Sequence, residues 1–496
     1  MTPYDTLTHA FARTAKLNTA ARKLGWDQRV MMPPGGAADR GEELATLAAL
    51  AHEIEAAPRV ADALAAVDEG ALEPWQAANV REMRRRHAHA AAVPSALVEA
   101  GETAAARCEI AWREARRSGD FAALLPLWRP VVATMREKAA AKAEALGVSP
   151  YDALMDPYDP GRRSAQVQSL FDDLEPFLRD ALPRVLERQA REPAPRLPPG
   201  PFPAEKQREL GRRLMAAVGY DFRHGRLDDT IHPFSTGSRD DARVTARWDE
   251  ADFTSGLMAV LHETGHALYT RGKNRDWGWQ PVASHRGMTL HESQSLCLEM
   301  QVGRSRAFTG VWAPMAREVF SGDGPLWDAD NLYRWATRVE PGFIRVDADA
   351  VTYPLHIILR FRLEQHLVDG SLDPADVPEA WNAEMQRLLG VTPPNLSLGC
   401  LQDMHWYDGA FGYFPTYSLG AMAAAQLFQA AEKAEPGLHD ALAKGDAGPV
   451  VAWMRAHVHA VGCLYEPDEL LATATGSPLS VDAFKRHIRT RYLDGA

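Results

Sequence analysis

Apolar residues recur three and four positions apart along most of the chain, which is the spacing of one face of an α-helix. Long segments of this kind, rich in Ala, Leu, Glu and Arg, cover 42–66, 94–117 and 121–146. Strand patterns are scarce, and the clearest is a short alternating run of β-branched and aromatic residues at 243–248. The pattern therefore predicts a mainly helical protein with a small β element.

One segment, residues 192–203, interrupts the helical pattern. It is too rich in proline for a helix and predicts a stiff spacer. It separates a helical N-terminal part, about 1–190, from a part at about 204–496 that contains the candidate chemistry. A chain of 496 residues would allow about three domains at roughly 150 residues each. We expect one domain over 1–496 instead, because large helical enzymes often form one continuous two-lobed body.

Charge and cysteine usage narrow the class of protein. A formal net charge of -11 argues against nucleic acid or an anionic membrane surface as partner, because both favour a basic face. The sequence begins without a basic leader or an apolar signal core, and no run of about 18 apolar residues predicts a membrane span. Cys108, Cys297, Cys400 and Cys463 form no CxxC pair, which favours reduced thiols. We expect a cytoplasmic protein.

The strongest chemical signal is His262-Glu-Thr-Gly-His266, an HExxH pattern. With 17 His in 496 residues, chance predicts only about 0.04 such matches. Residues four apart lie on one face of a helix with Cβ atoms about 5–6 Å apart, so two imidazoles can bind one cation. His262 and His266 are therefore candidate metal ligands.

The surrounding residues predict that this segment is helical. Leu257, Met258, Leu261 and Leu268 form an apolar stripe, and Thr254 and Ser255 offer N-cap oxygens. Gly265 lowers the helix propensity by about 1 kcal/mol relative to Ala. We therefore expect a crowded site in which another backbone passes close to Gly265.

A third ligand must come from elsewhere, because a catalytic zinc normally keeps three protein ligands and one position for water. His291-Glu-Ser-Gln-Ser295 lies in a predicted helix from 289 to 304. Either His291 or Glu292 could bind the metal, and the residues themselves leave both open. A helical binding protein with structural zinc is disfavoured, because structural sites usually fill four positions with Cys and His, and neither segment contains Cys.

Four further motifs accompany these two segments: His232-Pro-Phe234, Asp241-Ala-Arg243-Val-Thr245, Ile344-Arg345-Val-Asp-Ala348-Asp349 and Gly399-Cys-Leu-Gln402-Asp403-Met-His405-Trp406. In order, the six match the HPF, DxRxT, HExxH, HESQ, IRxxAD and GxxQDxHW motifs of the thermostable carboxypeptidase family typified by carboxypeptidase Taq. Gly25-Trp26-Asp27 with Met32-Pro33 is similar to the opening segment of that family. The sequence thus resembles this family over nearly its whole length.

The resemblance implies a mainly helical, two-lobed fold with a deep groove, like that of neurolysin and angiotensin-converting enzyme, and often a homodimer. It assigns Glu292 as third ligand of one Zn²⁺ per chain, for which Co²⁺ can substitute. It implies a metallocarboxypeptidase that removes C-terminal residues from peptides with a free C-terminus, with broad side-chain preference. The alternative within the same groove is a zinc oligopeptidase that cuts internally in short peptides.

Candidate catalytic residues follow from the reaction. Glu263 directly follows a ligand, where it can take a proton from the attacking water and pass it to the leaving amine. The oxyanion needs further donors, and the Gly-rich loop 405–417 presents a His and two Tyr. It resembles the loop after which neurolysin-like enzymes place their oxyanion tyrosine. That resemblance assigns the role to Tyr417, with His405 assisting catalysis and Tyr413 assisting substrate binding.

Two motifs are candidates for substrate binding. The strand at 241–248 precedes the metal segment where zinc peptidases commonly keep an edge strand that pairs with an extended substrate. Asp241 and Arg243 either contact the substrate or form an internal ion pair that braces the strand. Arg345 is the better candidate for the terminal carboxylate, because its planar guanidinium suits bidentate recognition. Its alternative role is a helical i,i+4 pair with Asp349.

Overall fold

The computed structural model describes residues 1–494 and shows a mainly helical chain with one small sheet, which confirms the predicted fold class. Eight helices precede the proline-rich segment. They are α1 Pro3–Val30, α2 Ala37–Glu55, α3 Pro58–Ala66, α4 Pro74–Ala91, α5 Ser95–Ser118, α6 Phe121–Leu146, α7 Pro150–Met155 and α8 Ser164–Gln189.

The chain after the proline-rich segment contains the sheet and twelve more helices within the described range. They are α9 Ala204–Ala217, β1 Gly225–Asp229, β2 Ser235–Ser238, β3 Asp241–Ala246, α10 Phe253–Gly272, α11 Gly287–Leu296, α12 Arg306–Phe320, α13 Ala329–Ala336, α14 Tyr353–Asp369, α15 Val377–Leu389, α16 Pro415–Ala434, α17 Leu438–Ala443, α18 Gly448–Met454, α19 Pro467–Thr475 and α20 Asp482–Ile488. A π-helical segment, Cys297–Gly303, continues α11.

Helix boundaries differ from the predicted ones where proline or a cap decides them. The predicted helix 42–66 is two helices, because proline disfavours a helical residue before it and Ala57 is extended ahead of Pro58. The N-cap of α10 is Asp252, whose Oδ1 accepts from the Thr254 N–H at 2.8 Å, and not Thr254 or Ser255. The predicted helix 289–304 changes from α to π after Leu296.

The sheet corrects the prediction of an edge strand at 241–248. Its order is β1-β3-β2, with β3 parallel to β1 and antiparallel to β2. Since β3 is paired on both sides, it has no free edge for a substrate, and the edge next to α10 is β2. The Ser-Thr-Gly-Ser sequence of β2 lacks the β-branched and aromatic alternation that predicts strands.

One large hydrophobic core joins helices on both sides of the proline-rich segment. It includes Trp128 and Leu178 before the segment, Phe202 within it, and Leu261 and Leu419 after it. A separate, smaller cluster packs α1, α2, α3 and α4 against one another through Leu7, Phe11, Ile54, Val60, Leu64 and Met83. Among the helices of residues 1–494, none combines the length and apolar character needed to cross a membrane.

Candidate metal centre

The HExxH segment lies in the middle of α10 and packs closely against α11. A Cβ atom on Gly265 would lie 2.3 Å from the Gln294 carbonyl oxygen and 2.6 Å from the Ser295 Cα. This confirms the expectation that another backbone passes close to Gly265. The close approach places Glu292 of α11 opposite the two histidines of α10.

His262, His266 and Glu292 converge, with potential ligand atoms all within 4.8 Å of one another. The Nε2 atom of His262 is 3.4 Å from Glu292 Oε1, and that of His266 is 3.5 Å from Oε2. His291 does not join this group, because its ring stacks on His266 with centroids 4.2 Å apart. Of the two candidates for a third ligand, the structure therefore brings Glu292 to the histidines.

The other ring nitrogens of the two histidines have partners of their own. His262 Nδ1 lies 2.9 Å from Glu299 Oε2, and His266 Nδ1 lies 3.1 Å from the His291 carbonyl oxygen. Because both acceptors are oxygens, each Nδ1 donates its proton there, and Nε2 is the nitrogen that faces Glu292 and would bind a metal. Two imidazoles and a carboxylate in this arrangement fit a divalent metal such as zinc, which binds the imidazoles in their neutral form.

Glu299 was missed by sequence reasoning, although it follows Glu292 by seven residues on the continuation of the same helix. Its carboxylate also accepts from Arg304 Nη2 at 2.8 Å. Burial alone would raise the pKa of Glu299, but the hydrogen bond from His262 and the charge of Arg304 lower it to about 2. Glu299 is therefore a carboxylate that holds His262.

Glu263 is buried beside the three candidate ligands, and the Ser235 backbone N–H of β2 hydrogen-bonds to its carboxylate. Burial raises its pKa to about 7, and the negative charges of Glu292 and Glu299 add to that effect against the opposing charge of His262. The edge strand β2 thus begins next to the candidate general base.

Tyr417, His405 and Tyr413 lie together at the start of α16. His405 Nε2 is 3.2 Å from the Tyr417 hydroxyl, and the Tyr413 and Tyr417 ring centroids are 5.2 Å apart. Three residues after Tyr417, a Cβ on Gly420 would lie 2.7 Å from Glu292 Cβ, so α16 packs directly on the third candidate ligand. Burial raises the pKa of Tyr417 to about 12 and lowers that of His405 to about 4, which keeps the phenol protonated and the imidazole neutral.

Arg345 lies beside Tyr417, with its guanidinium 4.6 Å from the ring centroid. Its Nε and Nη2 donate to Asp403 Oδ1 at 3.1 and 2.8 Å, while Arg360 Nε donates to Oδ2 at 2.7 Å. The alternative pair with Asp349 is wrong, because residues 345–347 form a short 3₁₀ turn and Asp349 instead accepts from the Thr352 hydroxyl. Sequence reasoning missed Asp403 as the partner of Arg345, and Arg360 as a second arginine on the same carboxylate.

Asp241 and Arg243 form the internal ion pair that the sequence left as one of two alternatives. Arg243 Nε and Nη2 donate to the two Asp241 oxygens at 2.9 Å each, and Lys23 of α1 lies 2.8 Å from Oδ2. The Arg243 guanidinium also lies 4.2 Å from the Trp26 ring centroid. The pair therefore joins β3 to α1, and contact with substrate stays a prediction.

Comparisons with known proteins place the whole chain in one family. The model of the carboxypeptidase Taq (M32) metallopeptidase family matches residues 6–492. The chain is 38% identical to thermostable carboxypeptidase 1 of Thermus thermophilus over 99% of both chains, and 34% identical to thermostable carboxypeptidase 1 of Pyrococcus furiosus over 97% of both. The solved structure of Trypanosoma cruzi metallocarboxypeptidase 1 superimposes with a TM-score of 0.96 at 38% identity, over 99% of both chains.

Proposed function

The chain belongs to the carboxypeptidase Taq (M32) metallopeptidase family and is a metallocarboxypeptidase, and we propose that His262, His266 and Glu292 hold one catalytic Zn²⁺. The observation that carries this proposal is the convergence of their ligand atoms within 4.8 Å while both Nδ1 atoms are engaged elsewhere. The donor set suits zinc, with Co²⁺ as a substitute. A bound zinc ion makes its water more acidic and polarises the scissile carbonyl.

The protein's own groups supply the proton transfers and hold the substrate. Glu263 takes the proton of the attacking water and passes it to the leaving amine, and the Ser235 N–H keeps its carboxylate in place. Tyr417 donates its hydroxyl proton to the carbonyl oxygen as negative charge develops there. His405 Nε2 orients that hydroxyl from 3.2 Å, and Tyr413 packs beside it at the substrate surface.

Arg345 is the proposed partner of the substrate's terminal carboxylate. Asp403 occupies its Nε and Nη2, which leaves Nη1 for a further acceptor. Arg345 and Arg360 share the single carboxylate of Asp403, so the cluster keeps a positive excess in a buried place. A terminal carboxylate would neutralise that excess. We propose that the ion pair of Asp241 and Arg243 holds β3 in place, and with β3 the neighbouring strand β2.

Three further parts of the proposal concern the whole chain. We propose that residues 1–496 form one domain, because the main core includes residues on both sides of the segment 192–203. Cytoplasmic location is supported by four buried cysteines that are all free of disulfides. We also propose a homodimer, because the family resemblance implies one. Sedimentation velocity measures the oligomeric state.

The test compares one peptide as its free acid and as its C-terminal amide, with zinc content measured by elemental analysis. We expect stoichiometric zinc and shortening of the free acid from its C-terminus, one residue at a time, with much slower cleavage of the amide. In Arg345→Ala the ratio of kcat/KM for acid over amide should fall while zinc is retained. An unchanged ratio would remove Arg345 from this role, and internal cleavage of both peptides would favour the oligopeptidase alternative.

A further inference from the structure

A cavity of about 880 Å³ lies beside the candidate metal centre. His291, whose ring stacks on His266, is part of its wall, and so is Ser235, whose N–H binds Glu263. Six Arg and Lys residues line it against only three carboxylates, those of Glu55, Glu82 and Asp240. This positive excess is opposite in sign to the net charge of the whole chain, which is -11.

Three of these cations, Arg22, Arg86 and Lys273, have no carboxylate partner among the described residues. Arg22 donates to the Thr19 hydroxyl at 2.8 Å and Arg86 to the Ser284 hydroxyl at 2.9 Å. Lys273 makes no side-chain hydrogen bond or ion pair within residues 1–494. Each therefore retains donors for an added acceptor.

The three charges also lie close enough to affect one another. Burial lowers the pKa of Lys273 to about 8, and the charges of Arg22 and Arg86 add to that effect. The three carboxylates of the cavity wall do not relieve this repulsion fully, because Glu82 and Asp240 are paired with Arg286 at 2.8 Å and with Arg239 at 3.3 Å, and Glu55 forms no ion pair with any of the three cations. An anion bound among the three cations would offset the free energy that their clustering costs.

The position of the cavity along α10 shows which part of a substrate would reach it. Lys273 directly follows the C-terminal end of α10, seven residues after His266. Arg345 and Tyr417 do not line the cavity, whereas Ser235 and His291, which contact Glu263 and His266, do. A peptide that places its terminal carboxylate at Arg345 therefore directs its N-terminal residues into the cavity.

The spacing along β2 limits which residues these are. Residues 235–240, with the unpaired edge of β2, line the cavity from the side of Glu263 outward. An extended peptide along this edge advances about 3.3 Å per residue, as the strand itself does. Cations that line the same cavity as residues 235–240 thus face roughly the second to fourth residue before the scissile bond.

We propose that Arg22, Arg86 and Lys273 form a subsite for acidic side chains of the peptide, about two to four residues before the scissile bond. This inference rests on the proposed function, because Arg345 and the metal centre set the direction of the peptide. The favoured substrates are peptides whose last residues follow an acidic stretch. The subsite acts on binding and therefore on KM.

The wild-type protein with its metal provides the first test. Steady-state hydrolysis is compared at low ionic strength for acetyl-Glu-Glu-Glu-Ala-Phe, acetyl-Gln-Gln-Gln-Ala-Phe and acetyl-Lys-Lys-Lys-Ala-Phe, which share the same scissile bond. We expect kcat/KM for the Glu peptide to exceed that for the Lys peptide by about tenfold or more, through KM, because three cations without carboxylate partners attract Glu and repel Lys, and low ionic strength screens neither effect. Equal values for the three peptides overturn the proposal.

Neutral variants provide the second test, with folding checked by thermal unfolding. In Lys273→Gln, the ratio of kcat/KM for the Glu peptide over the Lys peptide should fall toward one. The ratio should fall further in the double variant Arg22→Gln, Arg86→Gln. Arg13→Gln is the matched control. Arg13 is an exposed residue of α1 that does not line the cavity, and its substitution removes the same charge. An equal fall in the control would show a general charge effect and overturn the assignment.

Two further measurements separate the possible failures. Hydrolysis of acetyl-Ala-Phe, which is too short to reach the cavity, reports the proposed function alone, so its absence would count against that function and not only against the subsite. Inorganic phosphate, added at constant ionic strength, should inhibit hydrolysis of the Glu peptide competitively and leave acetyl-Ala-Phe unaffected. Equal effects of phosphate on both peptides would show a site for a free anion and overturn the substrate assignment.

Discussion

The protonation of each candidate ligand histidine is decided at its Nδ1 atom, away from the metal. Glu299 and the His291 carbonyl oxygen accept there, so Nε2 is the nitrogen that each ring presents toward Glu292 and a metal. The two acceptors differ in kind, since one is a carboxylate and the other a backbone oxygen. Only the first can be removed by mutation without moving the backbone.

Glu299→Ala should therefore weaken metal binding without preventing folding. Loss of such an outer partner typically costs about 10–100-fold in metal affinity, and Gln, whose carbonyl oxygen still accepts from Nδ1, should cost less. Competition with a chelator measures the dissociation constant. Glu318→Gln, at an exposed position of α12, is the control and should leave the affinity unchanged. Equal affinity in Glu299→Ala and wild type would contradict this role.

Replacing Glu263 should separate chemistry from metal binding. Glu263→Gln keeps the size of the side chain and can still accept from the Ser235 N–H, but it cannot take up the proton of the attacking water. We expect normal zinc content, nearly normal KM and a large loss of kcat. His266→Ala, in contrast, should lose zinc and activity together. Near-normal turnover by Glu263→Gln would refute the general-base role.

At the scale of elements, the site depends on how closely α10 and α11 approach. Gly265 permits that approach, because a Cβ atom there would lie 2.3 Å from the Gln294 carbonyl oxygen on a neighbouring backbone. A backbone atom cannot rotate aside as a flexible side chain can. The separation of the two helices, and with it the position of Glu292 relative to the histidines, is therefore sensitive to this one position.

Gly265→Ala should lower the free energy of unfolding by about 1–3 kcal/mol, although Ala is the better helix former. Its zinc affinity should fall as well, since α11 carries Glu292. Gly310→Ala in α12 is the matched control, because a Cβ there meets no atom within 4 Å. That variant should be neutral or more stable by up to about 1 kcal/mol. Urea unfolding measures the free energy of unfolding of each variant. Equal effects in the two variants would show that the close packing of α10 on α11 is not why position 265 requires glycine.

The same elements show what the sequence could and could not predict. The helix of His262 and the backbone contact at Gly265 were predictable, because periodicity and helix propensity are local properties. The partners Glu299 and Asp403 were not, since they lie 37 and 58 residues from His262 and Arg345, and only tertiary packing brings them together. The edge strand was misplaced for a similar reason, because strand order depends on pairing and not on the pattern of one strand.

At the scale of the whole molecule, helices α1–α4 pack around their own small cluster, and their contacts with the catalytic part include charged side chains of α4. Arg286, which directly precedes α11, is fully buried and donates to Glu82 of α4 at 2.8 Å. Asp156, in the segment after α7, accepts from His89 of α4 at 2.7 Å. The support of α11, and thus of Glu292, therefore includes ion pairs that acid can break.

Asp156 gives these contacts a defined pH dependence. Burial alone would raise its pKa, but the hydrogen bonds from His89 and the Gly161 N–H and the charge of Arg85 lower it from 3.8 to about 2. A carboxylate with a depressed native pKa stabilises the fold above its unfolded pKa and loses that effect as the pH falls through the native pKa. Its contribution is about 2 kcal/mol at neutral pH, and roughly half of it is lost by pH 3.

Asp156→Asn should therefore be less stable than wild type by an amount that shrinks on acidification. Urea unfolding at pH 5 and pH 3 measures this difference, and hydrogen exchange in α4 should increase in the variant at pH 5 and resemble wild type more closely at pH 3. Asp180→Asn serves as the control, because the Asp180 side chain is 68% exposed and its pair with Arg184 should contribute little. If the wild type and Asp156→Asn differed by the same free energy at both pH values, the carboxylate charge of Asp156 would not be what holds α4 in place.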